Sequence, residues 1–191
     1  LRAASGIETG ELQPEMTVPE EETKKVEKLL ALEKCRDRPF IVIQPFSLWS
    51  YKEWGREKFI ELIQWLLGQY DASILLTGGP DEESKAAEIV ERFASRVYNV
   101  AGKTSLGMYA ALLKEAELLI SVDSAGPHIA AAVGTPTVTI LGPALKDTWA
   151  PRGQMHRVVQ KDLPCVPCHR TGCNGTMQSR CLDELNTDEV A

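Results

Sequence analysis

Between Phe40 and Leu141 the chain alternates short apolar runs with longer segments whose apolar residues recur at helical spacing. Phe40 to Gln44, Ser73 to Thr77, Val97 to Val100, Leu118 to Val122 and Thr135 to Leu141 are too short for stable helices. They are rich in β-branched and aliphatic residues, which predicts strands. Arg56 to Leu67 carries Phe59, Ile60, Ile63, Leu66 and Leu67 on one helical face, and Asp81 to Phe93, Ser105 to Lys114 and Ala-rich Ser124 to Val133 supply further helices. Strands apolar throughout need both faces covered, and strands separated by helices return in the same direction. The expected fold is therefore α/β, a doubly wound parallel sheet, with His156 to Gln160 as a sixth strand.

Outside this alternation the chain changes character. Residues 1–22 are polar and acidic, with Gly6, Gly10, Pro14 and Pro19, and read as a linker. Glu21 to Lys34 reads as a helix, with Thr17 or the acids around Glu20 serving its first turn. Residues 1–37 are thus taken as linker and connecting helix, and residues 38–191 as one α/β domain with a cysteine-containing C-terminal segment, residues 165–181. The start, Leu-Arg-Ala, has neither an initiator Met nor a signal-peptide pattern, so the chain is expected to be part of a longer protein. A net charge of −6 with mixed signs argues against nonspecific nucleic-acid or anionic-membrane binding. No run approaches a membrane-spanning length.

In a doubly wound sheet, ligands bind beyond the carboxyl ends of the strands, near the point where strand order reverses. Four loops lie there. The first, Pro45 to Trp54, offers hydroxyls including Ser47, the ammonium of Lys52 and two indoles. Lys52 and Ser47 are phosphate donors in kind, whereas Trp54 and Trp49 read as anchors on the core. The second, Thr77-Gly78-Gly79-Pro80-Asp81, lets backbone approach a ligand at Gly78 and Gly79. Asp81 reads first as a helix cap and second as a ribose acceptor. The third, Ala101-Gly102-Lys103-Thr104-Ser105, is no P-loop, because the glycine required before Gly102 is replaced by Val97. Capping by Thr104 or Ser105 is its plain reading; Lys103 and Thr104 are retained as binding candidates.

The fourth loop is Val122-Asp123-Ser124-Ala125-Gly126-Pro127-His128. Small residues between a strand end and a helix start leave amides open to an anion, and a diphosphate fits Ser124, Ala125 and Gly126. Asp123 repels phosphate; it makes sense as a helix cap or as an acceptor for sugar hydroxyls. His128 is either a donor to the ligand or a packed core histidine. There is no G-x-G-x-x-G, H-E-x-x-H or G-x-S-x-G sequence and no self-contained nucleophile–base pair.

Cys165-x-x-Cys168 with Cys173 and Cys181 leaves three readings open: a structural zinc site, disulfides, or free packed thiols. With no secretion signal, a reducing cytoplasmic setting is expected, and the sequon Asn174-Gly175-Thr176 is then fortuitous.

Asp123-Ser124-Ala125-Gly126-Pro127-His128, followed by Ala130 to Pro136, resembles the signature of the heptosyltransferase family, glycosyltransferase family nine. Asp123 and His128 keep its spacing. Leu141-Gly142-Pro143, Trp149-Ala150-Pro151-Arg152-Gly153, Lys52-Glu53-Trp54 and the loop Ala101 to Leu106 are similar to further family elements, as is the cysteine cluster. The likeness runs from about residue 17 to the end. It implies a GT-B protein of two Rossmann-like domains, of which this chain is the C-terminal half. It also implies an ADP-heptose donor held here, with the lipopolysaccharide core acceptor and a carboxylate base in the other half. The reaction implied inverts the anomeric carbon without a required cofactor, with Lys52 stabilising the leaving group; this half alone is expected to be inactive. The full protein is expected in the cytoplasm, peripheral at the inner membrane. Leu48, Phe46 and Ala125 depart from the family pattern and bear on the sugar more than on the nucleotide. The rivals are a GT-B sugar-nucleotide epimerase and a noncatalytic nucleotide-binding module.

Overall fold

The structure, a computed structural model, describes residues 14–191. Of the expected linker, residues 1–13 lie outside the described residues. The first helix, α1 (Glu20–Leu32), has no side-chain cap; Thr17 does not serve it, and three glutamates occupy its first turn. Acids there interact favourably with the positive end of the helix dipole. Then follow β1 (Phe40–Gln44), α2 (Arg56–Gln69), β2 (Ser73–Leu76), α3 (Glu83–Val90), β3 (Val97–Asn99), α4 (Leu106–Glu115), β4 (Leu118–Val122), α5 (Gly126–Val133), β5 (Thr137–Ile140), the short α6 (Lys146–Trp149), β6 (His156–Val159) and α7 (Arg180–Asp183).

All six strands are parallel and lie in the order β3-β2-β1-β4-β5-β6. This is the doubly wound α/β fold, reversing between β1 and β4. Side chains alternate across a strand, and two cores follow from that alternation. Ile41 and Ile43 of β1, Ile74 and Leu76 of β2, and Ile120 and Val122 of β4 face Phe59, Ile63 and Leu66 of α2 and Ile89 of α3. Val42, Leu75 and Leu119 face the other way, against Val26 and Leu30 of α1, Leu112 and Leu113 of α4 and Ile129 of α5. The chain after β6 returns to the first face with Cys181, Leu182 and Leu185. It is fastened there by Lys58 Nζ, which donates to the carbonyls of Leu182, Asp183 and Leu185 at 2.7, 2.6 and 2.9 Å. Trp54 Nε1 donates to Leu185 O at 2.9 Å, so this indole is the anchor its sequence context predicts.

Two helix starts differ from expectation. The segment opening at Asp81 begins instead as a 3-10 turn, Pro80–Glu82, and Asp81 caps nothing; Glu82 Oε2 accepts from Gly79 N at 2.7 Å. Gly79 has no side chain to cap with, so the next acid that reaches back takes the amide. The fourth-loop helix begins at Gly126, not Ser124, because Ser124 Oγ turns back to accept from Gly126 N at 3.3 Å. Ser105 does cap α4, accepting from Met108 N at 3.1 Å. Among the described residues no helix is long and apolar enough to cross a membrane.

Candidate functional site

Two cavities open beyond the strand ends and meet at Gln44 and Ala125. The smaller, about 240 Å³, lies over Gly78, Gly79, Thr104, Tyr109 and Gly126. The larger, about 470 Å³, lies over Ser47, Lys52, Glu82, Asp123, His128 and Trp149. Both sit where the loops after β1 and β4 part to opposite faces of the sheet, the crevice that a reversal of strand order creates.

The smaller cavity is shaped by close backbone packing. Tyr109 Oη donates to Gln44 Oε1 at 2.6 Å, and burial pushes the phenol above its ordinary pKa, so it stays a neutral donor. Gly126 packs on this pair. A Cβ there would collide with Gln44 Oε1 and come within 2.7 Å of Tyr109 Oη. Gly78 is constrained in the same way, since a Cβ would lie 2.7 Å from Glu82 Oε2. Gly102, at φ 73°, donates to Gly78 O at 3.0 Å and joins the second and third loops. No lysine, arginine, histidine or carboxylate lines this cavity.

The larger cavity is charged. Lys52, at the end of a single 3-10 turn (Ser50–Lys52), places Nζ 2.7 Å from Asp123 Oδ2. The two charges pair directly, and the buried Asp123 Oδ2 has no further partner among the described residues. Ser47 ties the first loop to the fourth: its Oγ lies 3.5 Å from Asp123 O. Ser124 Oγ lies 3.2 Å from Ser121 Oγ, which keeps it near the strand end. His128 is exposed on the cavity wall, which removes the packed-core reading. Asp123 makes no cap to the helix; its charge is met by Lys52, a physical reason for a carboxylate beside an anion site.

The structure thus brings together Ser47, Lys52, Asp123, Ser124, Ala125 and His128 in one cavity, and Gly78, Gly79, Thr104 and Gly126 in the other. It does not bring Lys103, whose Nζ pairs with Glu33 Oε1 at 2.7 Å, 70 residues earlier in the chain. Trp49, expected as a core anchor, is half exposed at the rim of the larger cavity. Gln44, Glu82 and Tyr109 are lining residues that sequence reasoning passed over, and Trp149, noted there only within a family element, also lines the larger cavity. A polar Gln44 closing an otherwise apolar strand was the available signal. A third cavity of about 470 Å³ lies between the loop after β1 and the start of α2; it contains the pairs Arg56 with Glu88 and Lys85 with Glu53.

The cysteines form no bridge: all five are free thiols. Cys165 is exposed, Cys168 and Cys173 are partly buried, and Cys181 is buried, its pKa pushed up to about 11 by burial first and by the neighbouring Cys168 and Cys173 second. Among the described residues no group of three or more His, Cys, Asp or Glu side chains is placed to share a metal ion.

The family model for glycosyltransferase family 9 (heptosyltransferase) matches residues 1–177. Lipopolysaccharide heptosyltransferase 3 of Escherichia coli strain K12 is 34% identical over 139 residues, covering 71% of this chain and 40% of that protein. Among solved structures, E. coli ADP-heptose lps heptosyltransferase II superposes with a TM-score of 0.78 at 22% identity, over 96% of this chain and 53% of that one. E. coli heptosyltransferase WaaC with ADP gives 0.70 at 22% identity, over 99% and 51%. The chain therefore spans about two fifths to one half of the length of these relatives.

Proposed function

The chain belongs to glycosyltransferase family 9, the heptosyltransferases, and we propose that it is the donor-holding part of an inverting enzyme that transfers heptose from ADP-heptose to the inner core of lipopolysaccharide. The observation that carries this reading is the pair of joined cavities, one uncharged and one holding the Lys52–Asp123 pair. A nucleoside needs a snug, uncharged slot, and a diphosphate-sugar needs a cation beside hydroxyl acceptors. WaaC, a structural relative, has been solved with ADP; ADP in this chain is part of the proposal.

In this reading the base and ribose occupy the smaller cavity against Gly78, Gly79, Thr104 and Gly126. The diphosphate lies at the Ser124–Gly126 turn and meets Lys52 and Ser47. Pro127 has no amide hydrogen, so the turn has fewer donors than a full helix start, and Lys52 carries more of the work. Asp123, buried in the larger cavity with Lys52 as its one charged partner there, suits a sugar hydroxyl. When an acceptor oxygen attacks the anomeric carbon, the bond to ADP breaks and the diphosphate gains negative charge. A lysine already at the site stabilises that charge once it is shared between Asp123 and the diphosphate. The acceptor and the base that takes its proton belong to the rest of the protein, so this chain alone binds donor and does not transfer. The whole enzyme is read as cytoplasmic, working at the inner face of the membrane. A structural zinc on Cys165, Cys168, Cys173 and Cys181 rests on their spacing alone and enters no step; metal analysis of the reduced protein decides it.

Calorimetry with ADP, UDP and GDP tests the reading. ADP binding tightest is expected, and preference for UDP, or no nucleotide binding, would overturn it.

A further inference from the structure

We infer that Trp149 is a positioning residue for Lys52, setting where that ammonium stands before the diphosphate arrives. The inference rests on the donor-site reading above and extends it to a residue of another loop.

Three loops meet at one ammonium. Lys52 comes from the loop after β1, Asp123 from the loop after β4, and Trp149 from the loop after β5. Lys52 Nζ stands 2.7 Å from Asp123 Oδ2 and 5.7 Å from the centroid of the Trp149 ring. That distance is within reach of cation–π attraction. Lys52 is one-fifth exposed, so its charge is partly withdrawn from water and the ring face counts for more. Trp149 is 50% exposed and lines the same cavity. A tryptophan kept half in water at the end of a four-residue helix is not there for core packing.

The backbone that carries the ring is also held in place. Trp149 N donates to Leu145 O at 3.1 Å. The loop before it is clamped from β6 by Gln160, whose Nε2 donates to Gly142 O at 2.7 Å and to Ala144 O at 2.8 Å. The amides of Cys168 and His169 both donate to Pro143 O, at 3.1 and 2.9 Å. The C-terminal segment thus bears on the cavity through the loop that carries Trp149. A lysine on a flexible stem loses rotamer freedom when it binds phosphate. If Asp123 alone held it, the ammonium would have only the competing carboxylate as partner. The ring offers attraction without competing for hydrogen bonds, so the lysine keeps its donors for the ligand.

The test is a double-mutant cycle in the full chain: W149L, W149F, K52M and W149L/K52M. Each is read by ADP calorimetry and by NMR of the Lys52 ε-methylene protons without nucleotide. W149L is expected to weaken ADP binding about fivefold, W149F to restore it to within about twofold, and W149L to add nothing in the K52M background. Without nucleotide, the ε-methylene resonance is expected upfield in the wild type and W149F, and shifted downfield in W149L by loss of the ring current. An equal loss from W149L with and without Lys52 would overturn the inference, because Trp149 would then touch the ligand or merely pack. So would W149F behaving like W149L, or an ε-methylene resonance indifferent to W149L. If no variant and no wild type bound ADP while W149L still moved that resonance, the donor reading would fail and the Lys52–Trp149 pairing would stand.

Discussion

The two cavities share Gln44 and Ala125 but are made by different means. The smaller is steric: Gly126 and Gly78 lie tight against the side-chain ends of Gln44, Tyr109 and Glu82, and a neutral tyrosine and an amide close its floor. The larger is electrostatic, with Lys52 and Asp123 already neutralising one another before any ligand is present. A steric pocket is ready at once and discriminates by shape. An ion-paired pocket must exchange one partner for another, so its affinity depends on how the lysine is shared. Under the proposed function, the difference leaves the nucleoside to a glycine-lined shape and the diphosphate and sugar to charged side chains.

The most disruptive way to break that contrast is at the steric side. G126V puts a branched side chain into Gln44 and Tyr109. ADP binding is expected to fall by more than about 100-fold, and overpacking should cost about 1–3 kcal/mol of stability in denaturant melts. Retained ADP binding in G126V would deny that this floor shapes the nucleoside slot. K52M comes next. Losing a charge-assisted contact worth about 1.5–3 kcal/mol should weaken ADP at least about tenfold in calorimetry, while adenosine is held equally well. Equal losses for adenosine and ADP would erase the division of labour.

D123N is subtler. It frees Lys52 and removes a carboxylate, so ADP affinity should stay within about threefold, while the preference for ADP-heptose over ADP falls by about tenfold. Equal changes for both ligands would make Asp123 a partner of Lys52 only. The smallest effect belongs to S105A, which removes the cap on α4 beside the smaller cavity. Thermal unfolding should report about 1 kcal/mol lost, with ADP affinity within about twofold.

Much of the architecture is legible in the chain because periodicity is a local signal. Ile41 and Ile43 against Val42 declare two covered faces, and Phe59, Ile63 and Leu66 declare the helix that covers one of them. The four loops that build the site are legible too, since they follow strand ends. What is not legible is who meets whom across the chain. Lys103 looks like a ligand donor until Glu33 claims it. Asp123 looks like a cap until Lys52, from another loop, lies 2.7 Å away. Among neighbouring acids, Glu82 and not Asp81 reaches back to Gly79, a choice made by turn geometry that composition does not encode. Gln44 was hidden because a strand residue is read for its burial, although its place at the strand end put it between both cavities.

The account turns on one ligand lying across both cavities, and a crystal structure of the chain with ADP tests that most directly. It predicts adenine and ribose over Gly78, Gly79, Thr104 and Gly126, with the diphosphate against Lys52 and the Ser124–Gly126 turn. A nucleotide seated instead in the third cavity, beside Trp54 and Lys85, or with its diphosphate turned away from Lys52, would contradict it.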